Sequence, residues 1–418
     1  GPTPTAGIRG RRTTPPENRA FSWGAFLSTY LPALVLALGT GIALPAIPVL
    51  AKSFGVSFGL ASGVITAFLF GGTVGTVPTG WLIDRIGRRK VMLAGPLLTS
   101  AVALLVMTAH SFPELLIYRF LDGFAAQMWL MGRLAAITDR ARADQRGRQV
   151  TWMYGMDNVG KLSGPVVGGF VAAAWGVRSP FAAYALLALL ALIPTFRYVE
   201  DSTPRQRPGT DSSGDVVRLS VAQLVLPRLA MFGVAFFAAM ARGPIFADLL
   251  HLYAAFAYNL DAKGVGFLAT AANLLALPIG FAAGFMLDHI GRKRTIVPGF
   301  AGVTVTMLLL AVTAVLGLSL QWYVAVFLAG VAFQALTGGS IQTIATDVAP
   351  VSARGMFLGL WRFTSQAGIV VGPVIFAFLA DRAGYGSAFV FIAVVALVVT
   401  VLLITRVPET GKLAAVPA

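Results

Sequence analysis

Long apolar runs broken by short polar loops fill this chain of 418 residues. A helix needs about 20 apolar residues to cross a bilayer. Runs of that size are predicted as spans near 25–51, 58–84, 91–110, 114–138, 148–175, 179–198, 228–254, 263–288, 295–316, 320–346, 355–381 and 384–405. The stretch 295–346 holds no charge and is too long for one crossing, so a turn is placed at Gly317 to Trp322. The pattern predicts an all-α integral membrane protein of twelve transmembrane helices. Composition agrees, with 57% hydrophobic and 12% charged residues, where soluble domains carry about 25% charged.

The polar segments divide the chain. Residues 1–24, rich in Pro, Thr and Arg, read as a disordered cytoplasmic tail, and they lack the apolar core of a signal peptide. The linker 199–225 separates an N-terminal six-helix half (25–198) from a C-terminal half (226–406), and 407–418 form a second cytoplasmic tail. The net charge of +15 comes from short basic clusters between apolar runs. It is not gathered on one soluble face, so no nucleic-acid partner is expected. The predicted outer loops hold only Lys52, Arg178, Lys263 and Arg382, while clusters such as Arg85, Arg88, Arg89 and Lys90 fall on the other side. By the positive-inside rule both termini face the cytoplasm, in a multi-pass protein of the cell membrane surrounded by lipid.

Candidate chemistry is sparse. There is no cysteine, and the three histidines (His110, His251, His289) share no helical spacing, so neither a metal site nor a cofactor is expected. "GMDNVGKLSGP" (155–165) approaches a P-loop, but Leu162 stands where Ser or Thr should hold magnesium. The stretch also lies inside an apolar span with no room for a nucleotide.

Self-similarity is more informative. "GWLIDRIGRRK" (80–90) recurs as "GFMLDHIGRKR" (284–294), which carries Gly80 onto Gly284 at an offset of 204. Thr138-Asp139 recurs at Thr346-Asp347, Arg146-Gly147 at Arg354-Gly355, and "GKLSGP" (160–165) as "GIVVGP" (368–373), each at an offset of 208. Both halves start on the same side, so the repeat is parallel, with a pseudo-twofold axis along the membrane normal. Transporters with that arrangement bind substrate between the halves at the midplane.

These residues resemble the major facilitator superfamily over the whole chain, and within it the twelve-span drug/proton antiporters. "GWLIDRIGRRK" is similar to the family's signature between spans 2 and 3. Gly80 there permits close helix approach, Asp84 ends the span and pairs with cations, and Gly87 makes the turn. Arg85, Arg88, Arg89 and Lys90 lie at the inner surface. The resemblance implies a latch that holds the outward-open state, with Asp288 and Arg292 as the weaker counterpart. "LGTGIALPAIP" (38–48) resembles the span-1 pattern, with Pro45 and Pro48 bending the helix. "GKLSGPVVGG" (160–169) resembles the span-5 antiporter motif through Gly160, Gly164, Pro165, Gly168 and Gly169, with Thr151 where an earlier glycine is usual. Gly372 and Pro373 repeat part of it. The resemblance implies helix packing that seals the site, and an exporter. "YRFLDG" (118–123) resembles the span-4 motif, with Asp122 in place of glutamine; it implies that Arg119 takes part in proton coupling.

An ionisable group inside a span is expensive and usually functional. The candidates for substrate and proton coupling are Arg119, Asp122, Asp157, Lys161, Arg242 and Asp248, with Arg133 and Arg362 placed to snorkel. Arg119 and Asp122 share a helix face and can pair. Asp157 and Lys161, four apart with the acid first, can pair too. Either that pair is static or it opens when Asp157 takes a proton. Span 1 holds no acid and the interior is mildly positive, so a neutral or anionic amphiphile fits as well as a cationic drug.

The leading expectation is a monomeric secondary transporter, not an enzyme, that exports amphipathic drug-like or lipid-like molecules against protons by alternating access. The alternatives are a symporter or facilitator importing a small polar or anionic solute, and a membrane enzyme or sensor.

Overall fold

Pro45 divides the first span. The computed structural model describes residues 27, 30–140, 146–199, 225–243, 245–338, 341, 344, 345, 348–350, 354–407 and 409. In it the chain opens as α1 (Leu31–Ala43) and α2 (Ala46–Ser53), with Pro45 as the N-cap of the second helix. The proline ring cannot extend the preceding helix, so the rod bends there. The N-terminal tail and most of the linker and C-terminal tail lie outside the described residues, as do Asp139, Thr346 and Asp347 or their side chains.

The next rods follow from caps and turns. Helix α3 (Phe58–Ile86) starts where the Ser57 hydroxyl accepts the Leu60 N–H at 3.2 Å, which satisfies one of the orphan donors of a helix start. It stops at Gly87, whose φ of 88° turns the chain into α4 (Arg88–Thr108). Then come α5 (Phe112–Arg140), α6 (Arg146–Trp175) and α7 (Ser179–Tyr198).

The second group repeats the scheme. The predicted span 228–254 is α8 (Leu229–Met240) and α9 (Leu250–Ala257), separated by a break at Ala241 to Gly243 and a wide turn over Ile245–Leu249. Helix α10 (Ala262–His289) starts on the Asp261 carboxylate, which accepts the Gly264 N–H at 2.8 Å. Ser57 and Asp261 are one repeat apart. So are the turn glycines Gly87 and Gly291, with φ of 88° and 109°, and Gly176 and Gly384, with φ of 94° and 82°. Positive φ is easy only for glycine, so the repeat fixes the turns of both groups. Helices α11 (Arg292–Val315), α12 (Leu320–Leu336) and α13 (Arg354–Arg406, broken at Gly384) complete the bundle.

Among the described residues eight helices are long and apolar enough to cross a membrane, and Leu320–Leu336 is a shorter apolar one. Helices α5 and α6 have spanning length as well, but they carry the ionisable residues. Within the first group α3 packs on α5, α1 on α6 and α7, and α4 on α5 and α7. Within the second, α8 and α11 pack on α13, and α12 lies against α10 and α11. Two seams join the groups: α6 against α10 and α3 against α13.

Candidate functional site

The glycines of α6 set its packing against α1 and α10. A Cβ on Gly164 would sit 2.6 Å from the Gly41 Cα, and one on Gly160 would sit 2.7 Å from the Ala37 Cβ. Gly168 faces Ile42 on the same helix pair, while Gly169 faces Ala262 and Lys263 of α10. Pro165 lies within α6 and Pro48 is buried in α2. In the second group Gly368 and Gly372 face the carbonyls of Phe236 and Met240 on α8, with Pro373 beside them. These residues let backbones approach closely, as small residues do between membrane helices. Gly80 differs from expectation: nothing lies within 4 Å of its Cβ direction, so it makes no close helix approach.

The two groups are tied together at the end that carries the 54–57 and 258–261 loops. Asp381, near the Gly384 break of α13, accepts the Ser57 hydroxyl at 2.5 Å and the Gly59 N–H at 2.8 Å. A carboxylate at a helix N-terminus meets both free N–H groups and the positive end of the dipole. Lys52 donates to the Ala255 carbonyl at 2.7 Å and to the Asn259 amide oxygen at 2.6 Å. Phe58 stacks edge-on to Phe256 and Tyr385 with centroids 5.6 and 5.1 Å apart, and Lys263 lies 4.9 Å above the Phe170 ring. Deeper in, Gln366 donates to Thr73 at 3.0 Å and Asn273 donates to the Lys161 carbonyl at 3.1 Å. The sequence reading gave Lys52 and Lys263 a topology role and passed over Ser57, Asn259 and Asp381. The cap signal at Ser57 was readable; its partner, hundreds of residues away, was not.

The opposite end carries the basic motifs. Asp84 and Arg85 are exposed, and among the described residues Asp84 has no ion-pair partner, against the expectation that it pairs with cations. Arg85 lies over the Trp81 ring at 4.9 Å. Arg88 is buried at the start of α4. Arg89 does not simply anchor at the surface: it donates to the Phe196 carbonyl at 2.9 Å and tops that ring at 5.2 Å. One repeat later Lys293 donates to the Ile404 carbonyl at 2.6 Å. In both groups, then, a cation of the basic motif caps the last turn of the group's final helix. Arg292 donates to the Leu287 carbonyl at 3.4 Å, and the Asp288 side chain lies outside the described ones.

Between these ends lie the buried charges. Arg119 and Asp122 form the ion pair their spacing predicts, at 2.5 Å. Asp122 also accepts from the Tyr184 hydroxyl at 3.4 Å, and Arg119 lies 4.6 Å above the Phe68 ring. Tyr184 in turn accepts from Thr40 at 3.5 Å, so the cluster ties α1, α5 and α7 together. Asp157 pairs differently from expectation. Its two oxygens take both terminal nitrogens of Arg133 on α5, at 3.0 and 3.2 Å, and Lys161 is not its partner. A planar guanidinium matches a carboxylate in a two-bond fork that an ammonium cannot form. Arg133, expected to snorkel, is 3% exposed.

Lys161 is therefore left for the interior. It is exposed to a cavity of about 310 Å³ between α6 and α10, with Asn158, Asn273 and Phe281. Asp248, in the wide turn of the broken span, lies within electrostatic reach of both Arg119 and Lys161 across the groups. A second cavity of about 290 Å³ is lined by α8, α12 and α13, with Arg242 beside the break. Among the described residues no group of His, Cys, Asp and Glu suited to a metal is present. The arrangement can take a molecule between two polar walls.

Comparison with known proteins agrees with this geometry. The family description "Major Facilitator Superfamily" matches residues 29–258 and again 231–418. The chain is 29% identical over 401 residues to the class E tetracycline resistance protein of Escherichia coli, covering 92% of this chain and 96% of that one. It is 27% identical over 172 residues to the quinolone resistance protein NorA of Staphylococcus aureus, covering 41% and 44% of the two chains. A crystal structure of a D-xylose-proton symporter superposes with a TM-score of 0.75 over 92% of this chain and 98% of its own, at 18% identity, a likeness of fold alone. With the repeat, the two packed groups and the match over the whole length, this multi-pass membrane protein is a transporter and belongs to the major facilitator superfamily.

Proposed function

We propose that the chain is a proton-driven exporter of amphipathic small molecules, with both termini in the cytoplasm. The observation that carries the reading is the close packing of the α6 glycines: a Cβ on Gly164 would meet Gly41 of α1, and one on Gly169 would meet Lys263 of α10. By the positive-inside rule the basic end is cytoplasmic. That packing supports export, as does likeness to proteins named for tetracycline and quinolone resistance.

The interior supports a coupling scheme. Asp122 and Asp157 are each engaged with an arginine of the same group. Asp248 alone of the three has no such pair among the described residues, and the charges of Arg119 and Lys161 act on it. We assign proton exchange to Asp248, with the two cations biasing its charge according to how the groups lie.

The test uses purified protein in liposomes with an imposed pH difference. Tetracycline and a quinolone should move against their gradients when the far side is acidic, and collapse of the pH difference should stop the movement. Movement only down the gradient, indifferent to pH, would assign a facilitator; movement of substrate together with protons would assign a symporter.

A further inference from the structure

The offset that relates the halves exposes a mismatch in their interiors. The same 208 that carries Gly160 onto Gly368 carries Asp157 onto Ser365 and Arg133 onto Ile341. In the first half the two equivalent positions hold an arginine and a carboxylate, locked in a fork. In the second half they hold neither. Ser365 and Ile341 instead line the cavity of about 290 Å³, and the charge in that cavity is Arg242, reaching in from the break between α8 and α9. The second half thus brings a cation to this cavity from another helix and, among the described residues, no acid.

Among the described residues that cation has no protein counterion: Arg242 makes no ion pair, and its buried Nε has no acceptor. Trp361 lines the same cavity, is 1% exposed, and its indole N–H also has no acceptor. Its ring is held by Phe232 and Phe357, with centroids 5.9 and 6.0 Å away, so the N–H is fixed in place. A buried indole N–H normally finds a partner, and a buried polar group left without one destabilises the fold. Ser365 and Gln334 add hydroxyl and amide donors to the same lining. Indole, guanidinium, amide and hydroxyl all donate hydrogen bonds, and among the described residues no acidic side chain lies in the wall.

We propose that this cavity is a subsite for the carboxylate head of an amphipathic substrate, held by Arg242 with Trp361 and Ser365, the carboxylate taking the place that Asp157 fills in the other half. The inference rests on the transport reading above and narrows it to monoanionic amphiphiles. The apolar side chains of Ala235, Ala239, Ile341 and Ile369 in the same wall suit the adjoining alkyl part. The planar oxyanion fills the guanidinium fork with two charge-assisted bonds, which an alcohol cannot do. A quaternary ammonium would meet like charge.

The experiment is equilibrium binding to the purified full chain in lipid nanodiscs, using decanoate, decan-1-ol and decyltrimethylammonium as probes. Decanoate should bind the wild type, and Arg242→Gln should weaken it by about tenfold or more, the loss of a charged hydrogen-bonded contact. Decanol should bind both proteins alike. Trp361→Phe, which keeps the ring and removes only the N–H, should weaken decanoate several-fold and leave decanol unchanged; it decides the matter should Arg242→Gln fail to fold. Equal loss of acid and alcohol in Trp361→Phe, no loss of either, or preference for the ammonium would overturn the subsite. The pH-driven movement of tetracycline by the wild type is scored separately. Its absence beside intact decanoate selectivity removes the coupling scheme and leaves the subsite standing.

Discussion

At the scale of single residues, the acids sort by what each already holds. Asp157 is engaged by the Arg133 fork and Asp122 by Arg119 and Tyr184, and the proposed scheme gives the proton to Asp248. Asp248→Asn should abolish uphill, pH-driven transport while exchange of labelled for unlabelled substrate continues, because binding and rocking need no net proton. Full uphill transport by this variant would move the carrier elsewhere. The fork makes a different prediction. Asp157→Asn leaves Arg133 buried without a charge partner, a change that costs about 3–5 kcal/mol in comparable pairs. The double change Arg133→Met with Asp157→Leu should recover most of the lost melting temperature, whereas either single change should not. Why Arg119–Asp122 was legible and Arg133–Asp157 was not is plain from these cases. An i, i+3 pair is decided by helix geometry alone. The competition between Lys161 and Arg133 for Asp157 is decided by how α5 lies against α6, and no local spacing encodes that.

Elements show the same division between local signal and packing. The motif glycines of α6 were readable as a packing face, but their partner face on α1, with Gly41, was not. With the Gly164 Cβ direction 2.6 Å from the Gly41 Cα, there is no flexible side chain to yield. Gly164→Ala should therefore part α1 from α6 and cost roughly 1–3 kcal/mol, as overpacking does. Gly80→Ala, at a position with nothing within 4 Å, should leave the melting temperature unchanged. Thermal unfolding of both variants in one detergent checks the contrast, and equal effects would refute the packing account. The broken seventh span was less legible. Its apolar pattern runs unbroken through 228–254, so periodicity returned one helix. The cue was the dipeptide Gly243-Pro244, in which the proline restricts the residue before it. A break at membrane depth is tolerated only where backbone lines a cavity or is buried in protein, and here it carries Arg242 to one cavity and Asp248 towards the other half.

For the whole molecule, the internal repeat carried most of what was readable. It placed the caps Ser57 and Asp261, the turns at Gly87 and Gly291, and the cations Arg89 and Lys293 at equivalent points of the two groups. What it does not encode is which end of the bundle is closed, because that is set by contacts between the halves, where the sequence symmetry is broken. Asp381 on Ser57 and Gly59 exists in the state seen here, and by linkage only an interaction that differs between two states shifts their balance. Asp381→Ala should therefore favour opening of the end it joins. The latch that the resemblance implies for Asp84 holds the basic end closed. Asp84→Asn should favour opening of that end. The two substitutions thus push one equilibrium in opposite directions, and the double variant should return towards the wild-type balance, since the sites lie at opposite ends and share no partner. The absence of native cysteine makes the measurement direct: two spin labels across each end report the distance distributions in nanodiscs. Asp381→Ala should lengthen the distance at its own end and shorten it at the basic end, and Asp84→Asn should do the reverse. If both variants move the same end in the same direction, the two ends are not coupled through a single rocking motion and the alternating-access reading fails.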